Sequence, residues 1–245
     1  MKNWFEDWFR SGFYSQVYSH RDQTEAEQIK KLILNTTQLN QGSNILDAAC
    51  GAGRHSISFA KEGFKVTGFD LSYPLLREAQ FEKRYSGCTV DFFNADIRKV
   101  AFRSAFDLVL NIFTSFGYFE DDDQNFAFPR NIRKNLKESS FYVLDFFNRN
   151  YLINSLNPKT ERESGGFRII EERRIEDGRV IKNIRIGHDE NEYNFIESVR
   201  LFEPSEIISA FEKCGYCVRF TFGNYFGEKF NHIDSQRFIA FFSPV

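Results

Sequence analysis

The stretch Ile45-Leu46-Asp47-Ala48-Ala49-Cys50-Gly51-Ala52-Gly53-Arg54-His55 carries the densest chemical information in the chain. It reads as a short apolar strand, an acid, a turn of small residues and a helix start. Small residues let a backbone approach a ligand, and a helix N-terminus presents free N–H groups to an anion. A Gly-x-Gly alone is weak evidence, but two more acids follow at strand ends. Phe69-Asp70-Leu71-Ser72 places Asp70 to accept hydrogen bonds from two ribose hydroxyls. Asn94-Ala95-Asp96-Ile97 places a carboxylate where it accepts from an adenine amino group, with Ile97 covering the ring.

Other reactive residues carry less. Cys214-Gly215-Tyr216-Cys217 matches C-x-x-C, but the pair straddles a helix cap and a strand and lacks partners for zinc. No metal site is expected. The small size of Cys50 explains its place in the glycine turn, and His55 is expected in the first helical turn, on the surface or at a ligand edge. His188 and His232 show no spacing signal. Asp121-Asp122-Asp123 precedes a helix, where acids cap and complement the dipole. Asp107 reads as the start of a strand. Asp145 and Asn148, where the fifth strand ends, read equally as substrate-facing groups or as a turn-capping pair.

The elements that must position these residues follow from periodicity. Phe5, Phe9 and Phe13 recur at i+4, as do Trp4 and Trp8, so residues 1–34 read as helical, with Thr24 capping a second helix and Glu27 as its capping-box acid. From residue 44, strands (Asn44–Ala48, Phe64–Phe69, Thr89–Asn94, Phe106–Phe113, Phe141–Phe147) alternate with helices, the pattern of a parallel sheet covered on both faces. Such sheets bind ligands at the C-terminal ends of their strands. The pattern then changes to β-rich runs at Phe167–Ile175, Val180–Ile186 and Tyr193–Phe202, the first two joined by an Asp177-Gly178 hairpin signal. Arg168, Arg173, Arg174, Arg179, Lys182 and Arg185 make this meander basic, but Glu171, Glu172 and Glu176 interleave. A solvated strand face is the plain reading, and contact with an acidic substrate the sharper one. Pro204–Cys214 reads as a helix with Gly215 as its left-handed cap, followed by strands Tyr216–Phe222 and Phe238–Phe242.

Composition narrows the classes. The chain has 245 residues, 42% hydrophobic with 30 Phe, which excludes a disordered chain. Lys and Arg total 32 against 34 Asp and Glu, a net charge of −2 without the broad cationic field of a duplex-binding protein. No apolar run approaches a membrane span, and the charged start MKNWFEDWFR is no signal peptide. Four cysteines without a disulfide framework point to a reducing cytoplasm.

In these motifs the sequence resembles the class I S-adenosylmethionine-dependent methyltransferases. ILDAACGAGRH, VTGFDLS, NADIRKV and FDLVLNIFTSFGYF occur in order, and IISAFEKCGY with RFIAFF resembles the family's last helix and closing strands. The resemblance is strongest to small-molecule members with an N-terminal aromatic helix and an inserted antiparallel sheet, including the sugar N-methyltransferase type. It implies an α/β, Rossmann-like, doubly wound seven-stranded mixed sheet in the order 3-2-1-4-5-7-6, with the seventh strand antiparallel. Residues 1–40 would form a helical cover, 41–155 and 203–245 the core, and 156–202 an antiparallel insertion serving as substrate lid or dimer contact.

The resemblance also implies residue roles. Asp47, Ala49, Gly51 and Gly53 line the loop, which includes Cys50, under the methionine part of S-adenosylmethionine. Asp70 takes the ribose, Leu71 packs on adenine, and Asp96 and Ile97 hold its edge and face. Asn111 lies near the sulfonium. Tyr14, Tyr18, His20 and Arg21 fold over the cofactor, with Arg21 pairing the methionine carboxylate. Phe113, Phe116 and Tyr118 would form an aromatic rim that tolerates a cationic sulfur. Two departures stand out. Ala49 replaces a glycine, which ordinary backbone angles would tolerate, and Lys137-Glu138-Ser139-Ser140 replaces a Lys-Pro-Gly-Gly turn.

The expected activity is methyl transfer to N or O of a small-molecule acceptor by in-line displacement, with S-adenosylhomocysteine as product. Alignment alone supplies much of the rate, and His20 is the candidate proton acceptor. An NAD-dependent oxidoreductase is disfavoured because Ser56 stands at the third glycine position of G-x-G-x-x-G. The fourth strand lacks Asn-Pro-Pro-Tyr, which with near-neutral charge argues against DNA. A tRNA-modifying enzyme and a non-catalytic nucleotide-binding protein on the same fold stay open, as do monomer and homodimer.

Overall fold

The computed structural model describes residues 4–18 and 23–245. Helices α1 (Trp4–Arg10), α2 (Phe13–Val17) and α3 (Gln23–Thr37) come first. There follow β1 (Asn44–Ala48), α4 (Arg54–Lys61), β2 (Lys65–Asp70), α5 (Tyr73–Ser86), β3 (Val90–Asn94) and β4 (Phe106–Asn111). Short helices α6 (Asp122–Asn125) and α7 (Ala127–Ile132) lead into β5 (Leu136–Phe147). Next come α8 (Arg149–Ser155), β6 (Lys159–Ser164), β7 (Phe167–Glu176), β8 (Arg179–His188) and β9 (Asn191–Arg200), and the chain closes with α9 (Pro204–Lys213), β10 (Tyr216–Phe222) and β11 (Arg237–Pro244).

The main sheet has seven strands in the order β10-β11-β5-β4-β1-β2-β3. β1 pairs in parallel with both β2 and β4, β4 with β5, and β11 lies antiparallel between β5 and β10. Read in core numbering, this is the expected 3-2-1-4-5-7-6. Strand order reverses between β1 and β4, so the ends of these strands open a crevice. Apart from half-buried Asn44 and Asp107, the β1 and β4 residues are buried because both faces are covered. Leu46 and Val109 pack with Phe128, Ile132 and Phe211 on one side, and Ile45, Leu108 and Leu110 pack with Ile29, Ile33 and Phe59 on the other.

The second sheet is an antiparallel run of four strands, β6-β7-β8-β9, one more than the sequence suggested. The extra strand, β6, alternates exposed and half-buried residues, and its inward positions are Thr160, Arg162 and Ser164. A strand that buries no apolar face leaves no period-two hydrophobic signal. The β7–β8 hairpin turns at Asp177 and Gly178, both with positive φ, as its Asp-Gly predicts. α1 and α2 pack on this sheet through Trp8, Val17, Ile169, Ile184 and Ile186.

Four smaller expectations are corrected. Thr24 lies inside α3 rather than capping it, since the helix already includes Gln23. β4 stops at Asn111, because Phe113 and Thr114 take left-handed backbone angles. β5 begins at Leu136 rather than Phe141; Ser140 Oγ accepts from Lys137 N–H and donates to Phe106 O, so the polar Lys-Glu-Ser-Ser segment satisfies itself within the strand. Ala49 is not in an ordinary conformation but has φ +56°. Asp107 starts a strand as expected, accepting from Asn44 N–H and pairing with Lys137. Asp121 caps α6 by accepting from Asp123 N–H. No described helix is long and apolar enough to cross a membrane.

Candidate functional site

The site begins at the end of β1. Asp47 is buried and its Oδ2 accepts from Ser56 Oγ at 2.5 Å. Burial pushes its carboxyl up to about 7. The following turn puts Ala49, Gly51 and Gly53 in left-handed backbone. Gly53 also has no room: a Cβ there would lie 2.6 Å from Phe92 and 2.9 Å from Ala79. Gly51 differs, since its nearest neighbour would be Leu75 at 3.9 Å. The space over Gly51 is cavity. Gly53 therefore packs the helix against the sheet and lines none of the described cavities, while Ala49 and Gly51 line two of them. Burial raises the Cys50 thiol well above its usual range, which favours its protonated form.

The ends of β2 and β3 frame a cavity lined by Asp70, Leu71, Ala95, Asp96, Ile97 and Asn111. Asp70 bridges the turns: Oδ2 accepts from Gly51 N–H at 2.8 Å and Oδ1 from Ser72 N–H at 2.7 Å. Burial raises its carboxyl, and these backbone donors pull the other way. Asp96 is held by Arg98 at 2.6 Å. Burial raises this carboxyl, but the Arg98 guanidinium and backbone N–H outweigh it and leave it below the usual range. Arg98 itself lies over the Phe119 ring at 4.6 Å. Phe5, Phe9, Phe116, Tyr118 and Phe119 close the cavity.

Asn111 donates from Nδ2 to Ser115 O at 2.9 Å and accepts from Tyr142 OH at 3.2 Å, which fixes the turn after β4. Phe113 and Thr114 follow with φ +56° and +61°, strained for non-glycine residues and more so for a β-branched one. Asp145 holds them by accepting from Phe113 N–H at 2.9 Å, so it is a buried pin rather than a substrate-facing group. Asn148 likewise caps α8 and donates to the carbonyls of Asn231, His232 and Ser235.

A second cavity lies over the turn after β1, lined by Tyr14, Tyr18, Asp47, Cys50, His55 and Phe113. It shares Tyr14, Ala49, Gly51, Leu75 and Ser115 with the first. A third opens beneath the inserted sheet and shares Tyr14, Tyr18 and Phe113 with the second. Its other walls include Trp4, Phe147, Arg173, Lys182 and Glu197. Three spaces thus meet at Tyr14. His20 and Arg21 lie outside the described residues.

The charged residues of the insertion are not a solvated face on this side. Glu197 accepts from Trp8 Nε1 at 2.7 Å and Tyr18 OH at 2.6 Å, and pairs with Lys182 at 2.6 Å. Lys182 also bonds the Tyr18 hydroxyl. Burial raises the Glu171 carboxyl, but Lys182, Arg173 and Arg162 outweigh it and bring it to about 2. Arg179 donates to the carbonyls of Gly117, Tyr118 and Phe119, tying the insertion to the wall of the first cavity.

The first two cavities suit an adenosyl group with an amino-acid arm. The first has an apolar slot of Leu71, Ala95 and Ile97 with the Asp70 carboxylate beside it, and it opens into the second over Gly51. Residues 45–139 match the family described as "Methyltransferase domain". The match runs from β1 into the start of β5. A putative methyltransferase of Geobacillus sp. (strain WCH70) is 36% identical over 102 residues, 41% of this chain and 41% of that protein. The dTDP-3-amino-3,4,6-trideoxy-alpha-D-glucopyranose N,N-dimethyltransferase of Streptomyces venezuelae is 29% identical over 121 residues, 49% of this chain and 48% of that protein. The chain spans about half the length or less of these curated relatives. An S-adenosylmethionine-dependent methyltransferase structure from Clostridium acetobutylicum shares the fold, with TM-score 0.81 at 18% identity over 95% of this chain and 96% of that one.

Motif reading missed several groups that line these cavities. Gln124 and Pro129 reach the first cavity from the segment after β4, and Glu197 reaches the third from the insertion. None belongs to a short motif, so only the closure of the chain reveals them. Among the described residues no cluster of three His, Cys, Asp or Glu is arranged to hold a metal.

Proposed function

We propose that this chain transfers a methyl group from S-adenosylmethionine to a nitrogen or oxygen of a small-molecule acceptor. The observation that carries the reading is the convergence of three cavities at Tyr14, one over Asp70 and Asp96, one over Ala49 and Gly51, one beneath the inserted sheet. S-adenosylmethionine supplies, when bound, a methyl group already activated by a sulfonium.

The chain's residues then have to bind, align and exclude water. Asp70 accepts from the ribose, while Leu71 and Ile97 cover the base. Asp96, paired with Arg98, keeps its charge at the base edge. The turn at Ala49, Cys50 and Gly51, with buried Asp47 below it, cradles the amino-acid arm. Phe113 and Tyr14 form the wall between cofactor and acceptor, where aromatic faces favour a cation. Tyr18 closes that wall beside the acceptor cavity. Orientation of this kind supplies roughly 7–11 kcal/mol without an obligatory acid or base. The relative from Streptomyces venezuelae acts on an amino sugar, so amino sugars and their nucleotide conjugates form the first acceptor panel.

Calorimetry with S-adenosylhomocysteine tests the reading. Binding to the wild-type chain and its loss in Asp70→Ala are expected. Absence of binding to the wild type sinks the proposal; undiminished binding to Asp70→Ala sinks the ribose assignment. Binding with no methylation across the panel would favour a non-catalytic nucleotide-binding protein.

A further inference from the structure

α5 buries Leu75, Leu76 and Ala79 and leaves its opposite face bare. That face is not the purely polar one that a solvent-facing helix carries. Tyr73, Phe81 and Tyr85 are 65%, 67% and 87% exposed. At about 100° per residue, Phe81 sits at the centre of the bare face, with Tyr73 and Tyr85 within about 80° of it on either side. Single exposed apolar residues are ordinary, but three aromatic rings grouped on one face mark a surface made for a partner. A groove between α5 and the edge strand β3, lined in part by Phe92 and Asn94, continues the patch. The charges on this face are sorted. Arg77 and Arg84 lie on one flank, about 40–60° from Phe81, and Glu78 and Glu82 on the other, about 60–100° away. All four are exposed, and Glu78 accepts from Ser15 Oγ at 2.7 Å.

We propose that two copies of this chain associate through this face, with their α5 helices parallel about a two-fold axis. A two-fold contact presents the same patch from both sides, so the patch must be complementary to itself. Phe81 of one copy meets Phe81 of the other at the centre. With the helices parallel, the axis sets the arginine flank of each copy against the glutamate flank of the other. Arg77 of one copy then faces Glu78 of the other. Arg84 of one copy lies beside Tyr85 of the other, where an aromatic face favours a guanidinium. An antiparallel arrangement centred on Phe81 sets Arg77 beside Arg84 and Glu78 beside Glu82, like charge on like. Rim charges add little affinity but select orientation; burial of the rings supplies the attraction. The 14 residues of α5 span about 21 Å, so the contact is modest in area and its occupancy depends on concentration. It uses α5 rather than the insertion, and it is independent of the methyl-transfer reading.

Sedimentation velocity over a concentration series tests the contact. The wild type should pass from monomer to dimer as its concentration rises to about 100 µM. Phe81→Glu should raise the dissociation constant at least ~30-fold, the loss expected at the centre of an interface. Tyr85→Glu should weaken association as well, and it keeps the test decisive if Phe81→Glu misfolds; circular dichroism checks the fold of each variant. Arg77→Glu and Glu78→Arg should each weaken association ~3-fold or more. The double variant, which exchanges the two charges and restores their pairing, should recover most of that loss. A wild type that stays monomeric throughout, or a dimer indifferent to both aromatic substitutions, overturns the proposal. Tighter association of Arg77→Glu alone overturns the parallel arrangement, because that change relieves the Arg77–Arg84 repulsion of the antiparallel one.

Discussion

Asp145, near the end of β5, and Arg237, at the start of β11, meet at 2.8 Å with the carboxylate fully buried. The pair does more than join neighbouring strands. Asp145 also accepts from Phe113 N–H and Tyr225 OH, and Arg237 also donates to Thr114 Oγ1 at 2.9 Å. Tyr225 stacks on Phe113 at 5.7 Å. Two left-handed residues are therefore held from both sides by one buried ion pair, and the ring they aim forms the wall between two cavities. Strain of this sort persists only where surroundings over-determine it.

Breaking this pair should be costly. Arg237→Met leaves a buried carboxylate without its cation, and about 3–5 kcal/mol of stability should be lost. Asp145→Asn should also destabilise, because it leaves the guanidinium unpaired. The double variant should lose less than the sum of the two, measured by urea unfolding. Additive losses would mean that the two side chains do not act as a unit.

Asp47 predicts a pH dependence of stability. Its carboxyl titrates at about 7 in the folded chain, above the ordinary unfolded value near 4. Between these values the folded state holds a proton that the unfolded state has released, so stability falls as pH rises from about 4 to 7. Asp47→Asn removes the buried charge and should be more stable than wild type above pH 7, by an amount on the order of a few kcal/mol. Below about pH 4 the advantage should vanish. Melting temperatures across this range would show it; a constant difference would reject the role of ionisation.

Gly51 and Gly53 should separate binding from folding. Gly53→Ala forces a methyl onto Phe92 and Ala79 and should cost about 2–4 kcal/mol in thermal or urea unfolding. Gly51→Ala meets only the backbone cost of left-handed angles, about 1–2 kcal/mol. Its methyl enters the cavity, so S-adenosylhomocysteine affinity should fall more than stability does. A folding defect of equal size in both variants would contradict the open space over Gly51.

The attachment of α1 and α2 to the insertion depends on Glu197. Glu197→Gln leaves Lys182 facing Trp8 and Tyr18 without its main counter-charge. Hydrogen exchange over residues 4–18 should rise by about tenfold or more, while β1 and β4 stay protected. Unchanged protection of the N-terminal helices would show that apolar contacts alone hold them.

Much of this protein was determined by local sequence. The strand-and-helix alternation from Asn44, the acids at the ends of β1, β2 and β3, and the Asp177-Gly178 turn are short-range patterns, since side-chain periodicity and turn chemistry act over a few residues. They specify a doubly wound core and where its ligand cavity opens. Tertiary structure decided the rest. Whether Asp145 faced substrate or a buried arginine depended on β11, 92 residues further along. The role of Glu197 depended on Trp8, 189 residues away. β6 was hidden because its stability comes from backbone pairing with β7 rather than from an apolar face. Ala49 looked ordinary because a residue's type does not reveal its backbone angles; the close approach of Cys50 N–H to Phe69 O and of Gly51 N–H to Asp70 shaped that turn. Burial and long-range pairing arise only when the chain closes, and they turned this set of charged and aromatic residues into walls and pins.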